Sequence, residues 1–142
     1  MILLIKKTKA ILLSSFATVI LISGVAITDA NAANTKDTKF DFVLGKFGGN
    51  DYSSAREKQN KTATYVKLTS IGKGKMNAWI LKSNGASVRS PKTIVKMGEE
   101  KFLTNYAYED YGVCDVKLAG ETESVELVTV SAVGVWSPDS VR

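Results

Sequence analysis

The sequence has no histidine and one cysteine, Cys114. Without histidine, neither a Ser-His-Asp triad nor a Cys-His pair can form, and the commonest zinc ligand is missing as well. A single cysteine cannot form a disulfide within the chain, so the fold must depend on its hydrophobic core. Catalysis by a pair of carboxylates is still allowed, but no pattern in the sequence places two acids across a cleft. These absences predict a protein that is not an enzyme and that holds no cofactor and no metal.

The first 32 residues have the three parts of a secretory signal. The first nine include three lysines and no acid, and residues 10–27 are mostly apolar. Small residues stand around a cleavage site, at Ala30, Ala32 and Ala33. The apolar stretch is interrupted by serines and a threonine and is shorter than the roughly 20 residues that a spanning helix needs. We therefore expect a signal-peptide helix over residues 1–32, cleaved after Ala32, and a secreted, extracellular protein that meets the membrane only before cleavage.

The charge of the remaining chain is nearly balanced. The signal takes three lysines and one aspartate from the 19 basic and 14 acidic residues of the sequence, which leaves 16 and 13. The resulting net charge of about +3 permits weak attraction to an anionic cell wall. Basic residues alternate with acids, as in Arg56-Glu57-Lys58, and do not form the basic patch that nucleic-acid binding requires. We expect no nucleic-acid partner.

Short apolar runs predict about seven strands and no sustained helical period. The predicted strands cover residues 40–44, 64–71, 77–82, 93–96, 101–107, 112–118 and 124–136. Their spacing predicts one all-β domain over residues 40–142, a small antiparallel β-sandwich, with a small closed barrel as the alternative. Residues 33–39 are small and polar, which favours a flexible lead-in.

Three segments allow more specific predictions. The charged residues 54–62 have no apolar face, which favours a solvated loop over a helix. The sequence Gly72-Lys-Gly-Lys75 is typical of a tight turn that closes a hairpin. In residues 124–136 the apolar side chains change face, which indicates a bulge or a strand shared between two sheets.

Aromatic side chains are the candidate binding residues. Tyr106 and Tyr108 project from one face if their strand is regular, and Tyr111 lies in the adjoining turn. Because aromatic rings stack on sugars and tyrosine is common at interfaces, these three form the predicted recognition surface, with Trp136 as a further candidate. The alternative for Trp136 is a place in the sandwich core. The apolar neighbours of Cys114 favour a buried, inert thiol; an exposed thiol would allow a disulfide-linked dimer.

Four places along the chain resemble a known family. They are Tyr-Val-Lys-Leu-Thr at 65–69, Trp79 after a glycine-rich turn, Val-Lys-Leu at 116–118, and Ser-Ala-Val-Gly-Val-Trp-Ser-Pro-Asp-Ser at 131–140. In these the chain resembles small secreted proteins of Gram-positive bacteria known as a domain of unknown function of the 2712 type. The resemblance implies secretion and a β domain, and it brings no activity and no functional residues.

A looser likeness is to secreted β-sandwich bacteriocins of the lactococcin 972 type. In those proteins a Val-Trp-Ser element lies early in the mature chain, whereas Val135-Trp-Ser137 lies at the end of this one. The leading hypothesis is thus a secreted, non-enzymatic, monomeric β-sandwich that binds the bacterial envelope or another extracellular partner. A bacteriocin-like antimicrobial protein is the alternative, and a small hydrolase that uses carboxylates alone is a third.

Overall fold

Nine β-strands make up about half of residues 33–140, the part of the chain that this computed structural model describes. They form two antiparallel sheets, so the predicted all-β sandwich is confirmed. The strands are β1 (Thr38–Leu44), β2 (Asp51–Tyr52), β3 (Arg56–Lys58), β4 (Thr64–Ile71), β5 (Met76–Lys82), β6 (Thr93–Val95), β7 (Glu100–Leu103), β8 (Cys114–Thr122) and β9 (Val130–Ser137). A 3-10 turn (Lys46–Gly48) and a five-residue helix, α1 (Ala107–Tyr111), are the remaining elements of this part. The predicted signal peptide, residues 1–32, lies outside the described residues.

Sheet I has the strand order β1-β9-β4-β7, and sheet II has the order β2-β8-β5-β6, with β3 also paired to β8. β2 and β3 lie along the same edge of β8, where Asp51 pairs with Gly120 and Arg56 pairs with Val116. The interruption between them is bridged by a serine hydroxyl, because Ser53 Oγ accepts the N–H of Leu118 at 2.9 Å. A broken edge strand of this kind offers few free backbone groups to another chain.

The core lies between the sheets and is built from alternate residues of each strand. In β1, Phe40, Phe42 and Leu44 are at most 3% exposed, while the residues between them face outward. The rest of the core consists of Val66, Leu68, Met76, Ala78, Ile80, Val88, Val95, Leu103, Ala107, Val116, Leu118, Val130, Ala132 and Trp136. Residues Ala33–Arg142 form a compact unit of their own. Since this unit contains its whole core, we expect it to fold by itself.

Gly134 of β9 allows a ring and a neighbouring strand to approach closely. Phe40 stands opposite Gly134 in the β1–β9 ladder. A Cβ at position 134 would lie 2.6 Å from the Phe40 ring and 2.1 Å from the carbonyl oxygen of Lys67. No other residue fits this position without moving the backbone.

The turn at residues 72–75 does not close a hairpin, so that prediction is wrong. β4 pairs with β7 and β9 in sheet I, whereas β5 pairs with β6 and β8 in sheet II. The turn therefore crosses from one sheet to the other. Glycine-rich turn chemistry favours a chain reversal, and it does not decide which strand the next segment will pair with.

The last strand is shorter than predicted and belongs to one sheet. It begins at Val130, and residues 124–129 form an exposed loop. The irregularity lies in the strand opposite, because the β4–β9 register shifts between Leu68 and Ser70. There the hydroxyl of Thr69 donates to the carbonyl of Val133 at 2.8 Å. The predicted bulge thus exists in β4 rather than in the last strand.

Strand directions place four loops at one end of the sandwich. They join β1 to β2 (45–50), β4 to β5 (72–75), β6 to β7 (96–99) and β8 to β9 (123–129), and are called here the four-loop end. The other end holds the β3–β4 and β5–β6 connections, α1 and both ends of the described chain. At about 3.3 Å per residue, the main strands separate the two ends by roughly 25 Å.

A buried ion pair lies at the second end. The side chains of Lys58 and Asp139 are fully buried, and Nζ lies 2.9 Å from Oδ1. The same ammonium group donates to the carbonyls of Thr62 and Pro138. The predicted solvated loop at 54–62 therefore contains a strand, β3, and a buried lysine. Local sequence could not reveal this, because the partner lies 81 residues further along the chain.

The predicted lead-in, residues 33–39, is attached to the domain. The N–H of Asn34 donates to Asp139 Oδ2 at 2.8 Å. The guanidinium of Arg56 donates to Asn34 Oδ1 at 3.0 Å and to the carbonyl of Lys36 at 2.6 Å. Residues 34–36 are therefore held against the domain by hydrogen bonds, and the first strand begins at Thr38. Among residues 33–140, no helix is long and apolar enough to cross a membrane.

Candidate binding surface

The three predicted tyrosines lie around α1 and not on a strand. Tyr108 and Tyr111 are helical and Tyr106 precedes the helix, so the prediction that Tyr106 and Tyr108 share a strand face is wrong. The buried side chain of Asn105 accepts the N–H of Ala107 at 3.3 Å. This Asx-type turn takes the chain out of the strand direction.

Two of these rings have a cation above them. The guanidinium carbon of Arg89 lies 4.0 Å from the ring centroid of Tyr106, and Arg89 also donates to both carboxylate oxygens of Asp110, at 2.8 and 3.2 Å. Lys82 Nζ lies 4.1 Å from the ring centroid of Tyr111. Both tyrosines are more than one third exposed. Tyr108 is half-buried and takes part in neither pair.

Two further ring–cation pairs lie on the outer face of sheet II. Tyr52, Ala119 and Trp79 occupy one row across β2, β8 and β5. Trp79 faces outward because its two neighbours along β5 are buried in the core. Lys117 Nζ lies 4.4 Å from the ring centroid of Tyr52, and Lys92 Nζ lies 4.6 Å from that of Trp79.

Polar side chains surround Trp79. Lys92 Nζ forms an ion pair of 2.7 Å with Glu121 Oε1, and Asn77 Nδ2 donates to the same oxygen at 3.3 Å. Trp79 is only 7% exposed beneath this group. A ring, an ammonium group, a carboxylate and an amide are thus held together on one patch of sheet II.

The two clusters, one around α1 and one on the outer face of sheet II, are together called here the aromatic–basic surface. Its members are Tyr52, Lys82, Arg89, Lys92, Tyr106, Tyr111, Lys117 and Trp79. A ring below each cation limits the positions that the cation can adopt, and each contact contributes about 0.5–1 kcal/mol at an exposed site. Chemically, the surface offers cations fixed near apolar ring edges, which suits an anionic ligand that also has apolar faces.

Sequence reasoning found two of the tyrosines and missed the rest of this surface. The signal for Trp79 was available, because the phase of β5 places its neighbours Ala78 and Ile80 in the core. Tyr52 was harder to find, because β2 has only two residues and shows no alternation. The ring–cation pairs themselves join residues that are distant in sequence.

Trp136, the fourth predicted binding residue, belongs to the core instead. It is 1% exposed, because even-numbered residues of β9 face inward. The guanidinium of Arg56 covers its ring at 5.5 Å. Burial lowers the pKa of this guanidinium from its ordinary value, while Asp37 and Asp139 oppose the shift. Trp136 therefore cannot contact a partner in this fold.

Two carboxylates of the aromatic–basic surface are each paired with a cation. Glu121 pairs with Lys92, and Asp110 pairs with Arg89. Within residues 33–140, no three His, Cys, Asp or Glu side chains are close enough together to hold a metal ion.

Cys114 is half-buried at the start of β8. Its Sγ lies 3.8 Å from the carbonyl of Ala107, and the residue packs against the core. Burial raises the pKa of this thiol, which the charge of Lys82 partly offsets. The thiolate, which is the reactive form, is therefore disfavoured.

Comparison with known proteins gives a family and no activity. The family described as "Protein of unknown function (DUF2712)" matches residues 28–140, which confirms the family resemblance. No curated protein matches the chain.

Proposed function

The chain belongs to this family of unknown function, and we propose that it is a secreted, non-enzymatic binding module that attaches to an anionic glycan polymer of the bacterial envelope. The observation that carries the proposal is the aromatic–basic surface, in which four rings each hold a cation at 4.0–4.6 Å. An anionic glycan combines sugar rings, whose C–H faces pack on aromatic side chains, with phosphate or carboxylate groups that bind cations.

Preorganisation is the physical reason why this surface would bind. A free lysine or arginine loses up to about 2 kcal/mol of side-chain entropy when it is fixed in a complex. Lys92 and Arg89 are already held, each by a ring on one side and a carboxylate on the other. Less entropy is then lost on binding, which favours affinity. Asn77 and Glu121 beside Trp79 add hydrogen-bonding groups for hydroxyls.

The same geometry disfavours nucleic acid. Single-stranded nucleic acid binds in a continuous positively charged groove that follows its backbone, whereas two of the four cations here are paired with acids, Lys92 with Glu121 and Arg89 with Asp110. The acids Glu121 and Asp110 lie within the surface and would repel a closely spaced phosphate backbone. The proposal accordingly expects an extracellular glycan partner and a monomeric protein.

The test compares two double variants with the same change of net charge. Lys92→Gln/Lys117→Gln removes two cations from the aromatic–basic surface. Lys39→Gln/Lys67→Gln removes two exposed lysines from the outer face of sheet I. Purified residues 33–142 and both variants are incubated with washed Gram-positive cells and with their isolated anionic wall polymer, at low and high salt.

We expect the sheet II variant to bind at least about tenfold more weakly, as the loss of two charge contacts implies, and the sheet I variant to bind as the unchanged domain does. A triple variant, Tyr106→Ala/Tyr108→Ala/Tyr111→Ala, should also lose affinity while it stays folded, as cooperative thermal unfolding would show. Equal weakening of both lysine variants would mean general charge attraction and would contradict the proposal, as would complete loss of binding at high salt, where the Debye length falls to about 3 Å. Growth inhibition of the cells at low protein concentration would support the antimicrobial alternative instead.

A further inference from the structure

The four-loop end carries a second surface of different chemistry. Apolar side chains project there into solvent from three of its loops, and they are Phe47, Met97, Val125, Leu127 and Val128, which are 52–75% exposed. Large apolar side chains gathered at one end of a small protein mark an interaction site more often than chance exposure does.

Hydrogen bonds and an ion pair join three of the four loops (45–50, 72–75 and 123–129) to one another. The N–H of Phe47 donates to the carbonyl of Glu126 at 2.8 Å, and the N–H of Glu123 donates to the carbonyl of Lys75 at 2.9 Å. Lys73 Nζ forms an ion pair of 2.8 Å with Glu126. Residues 45–50, 72–75 and 123–129 therefore form one connected unit whose apolar side chains point away from the core.

Phe47 is held outward by its backbone. Its φ is +56°, a left-handed conformation that is strained for a bulky residue. On either side of it, Gly45 and Gly49 face each other so closely that a Cβ on either would lie 3.0 Å or less from the other Cα. The Gly45 N–H donates to the Gly49 carbonyl at 3.1 Å, so the loop is clamped at its base and Phe47 stands at its apex. A strained residue in such a place points to function.

Charge at this end identifies the partner. The four loops hold four exposed lysines, Lys46, Lys73, Lys75 and Lys96. Of their three acids only Glu123 is exposed, because Glu99 and Glu126 are half-buried. Apolar side chains among lysines, with few exposed acids, suit a layer that is anionic at its surface and hydrocarbon just beneath.

We propose that the four-loop end inserts its apolar side chains into the interface of an anionic lipid bilayer. Phe47, Leu127 and Val125 enter the headgroup–acyl boundary, and the four lysines contact anionic headgroups around them. The hydrogen bonds between the loops support this occupant, because backbone groups that enter an apolar layer must already be paired. The aromatic–basic surface lies on the outer face of sheet II and at the other end of the sandwich, so it stays free for its own ligand.

The first experiment uses lipid vesicles that contain no glycan, so its outcome is independent of the proposed function. Residues 33–142 are mixed with vesicles of equal parts phosphatidylglycerol and phosphatidylcholine, and with vesicles of phosphatidylcholine alone, and the bound fraction is measured by sedimentation. Phe47→Ser/Leu127→Ser removes two apolar side chains from the four-loop end. Val113→Ser is the matched control, since Val113 is 57% exposed and lies in the loop before β8, at the opposite end.

We expect the unchanged domain to bind the anionic vesicles. The double variant should bind at least about tenfold more weakly, because it loses the area of two apolar side chains, and the control should bind as the unchanged domain does. Equal melting temperatures of the three proteins show that the variants are folded. No binding to anionic vesicles, or equal binding by the double variant, would overturn the proposal. Self-association of the unchanged domain that the double variant abolishes, without vesicle binding, would assign the surface to a second copy of the chain and would also overturn it.

A second experiment measures insertion directly. Phe47→Trp places a fluorescent ring at the apex of the 45–50 loop, and the two native tryptophans are buried and give a constant background. With anionic vesicles we expect a blue shift of the added emission and quenching by lipids brominated on the acyl chain. Emission that neither shifts nor is quenched, although the protein binds the vesicles, would exclude insertion of this loop.

Discussion

Replacing Lys58 by methionine should destabilise the domain more than any other charge-removing substitution in residues 33–140. The ammonium group donates to a carboxylate and two carbonyls in a fully buried site. In Lys58→Met the side chain keeps nearly the same length, but Asp139 remains as a buried charge without its cation. Removing one partner of a buried pair costs about 3–5 kcal/mol, which is a large share of the 5–15 kcal/mol typical of a whole domain.

The assay is urea unfolding at neutral pH, followed by the fluorescence of the two buried tryptophans. The set comprises Lys58→Met, Asp139→Asn, the double variant, and Arg89→Gln as the control. The control breaks an exposed ion pair, with side chains 58% and 36% exposed, and the contact with the Tyr106 ring, and together these should cost less than about 2 kcal/mol. The double variant should lose less than the sum of the single losses, by about 2 kcal/mol, because it leaves no unpaired charge.

Salt gives an independent check of the reasoning. The loss caused by Lys58→Met should be nearly the same at low and high salt, since buried pairs are screened little. A loss below about 1 kcal/mol, or single losses that simply add, would refute the view that this pair is a buried, coupled unit.

Three more outcomes follow from the structure. Gly134→Ala should lower the free energy of unfolding by about 3 kcal/mol or more, because the new Cβ would meet backbone and ring atoms. Gly72→Ala is the control and should cost little, because no heavy atom lies closer than 3.8 Å to its new Cβ. Similar losses for the two variants in urea unfolding would contradict this prediction. Iodoacetamide should label Cys114 more slowly in the folded domain than in the urea-unfolded chain, and the rate should rise as the pH approaches the raised pKa of the thiol; equal rates measured by mass spectrometry at neutral pH would be evidence against a protected thiol. Thr122→Val should raise the free energy of unfolding by about 1 kcal/mol, because the buried Thr122 hydroxyl has no hydrogen-bond partner among the described residues; a loss of stability in thermal unfolding would show that the hydroxyl is satisfied.

Local pattern was a good guide where one strand buries one face. The prediction for residues 64–71 agrees with β4 at both ends, because alternation of apolar and polar side chains follows directly from the pleat. It failed where a contact distant in sequence decides the structure. The charged sequence of residues 54–62 does not indicate that Lys58 is buried against Asp139.

The candidate site divides in the same way. Exposed tyrosines could be found from composition, and two of the three predicted ones belong to the aromatic–basic surface. Their helix could not be expected, because Tyr106 and Tyr108 continue an apparent strand pattern until the Asn105 side chain turns the chain away. The burial of Trp136 depends on which residues of β9 face inward. The predicted last strand began six residues before β9 does, so this alternation was not predicted.

The two ends of the described domain meet, and this has a practical consequence for the topology. The Asp139 N–H donates to the Asn34 carbonyl at 3.2 Å, so a short glycine–serine linker could join the ends into a continuous ring. New ends could then be opened at Gly85, an exposed turn position where even an added Cβ meets nothing within 4 Å. Such a circular permutant keeps every strand pairing, but its two termini lie at a different place on the domain. Attached to a surface through a terminus, the domain would then present a different face without redesign of its core.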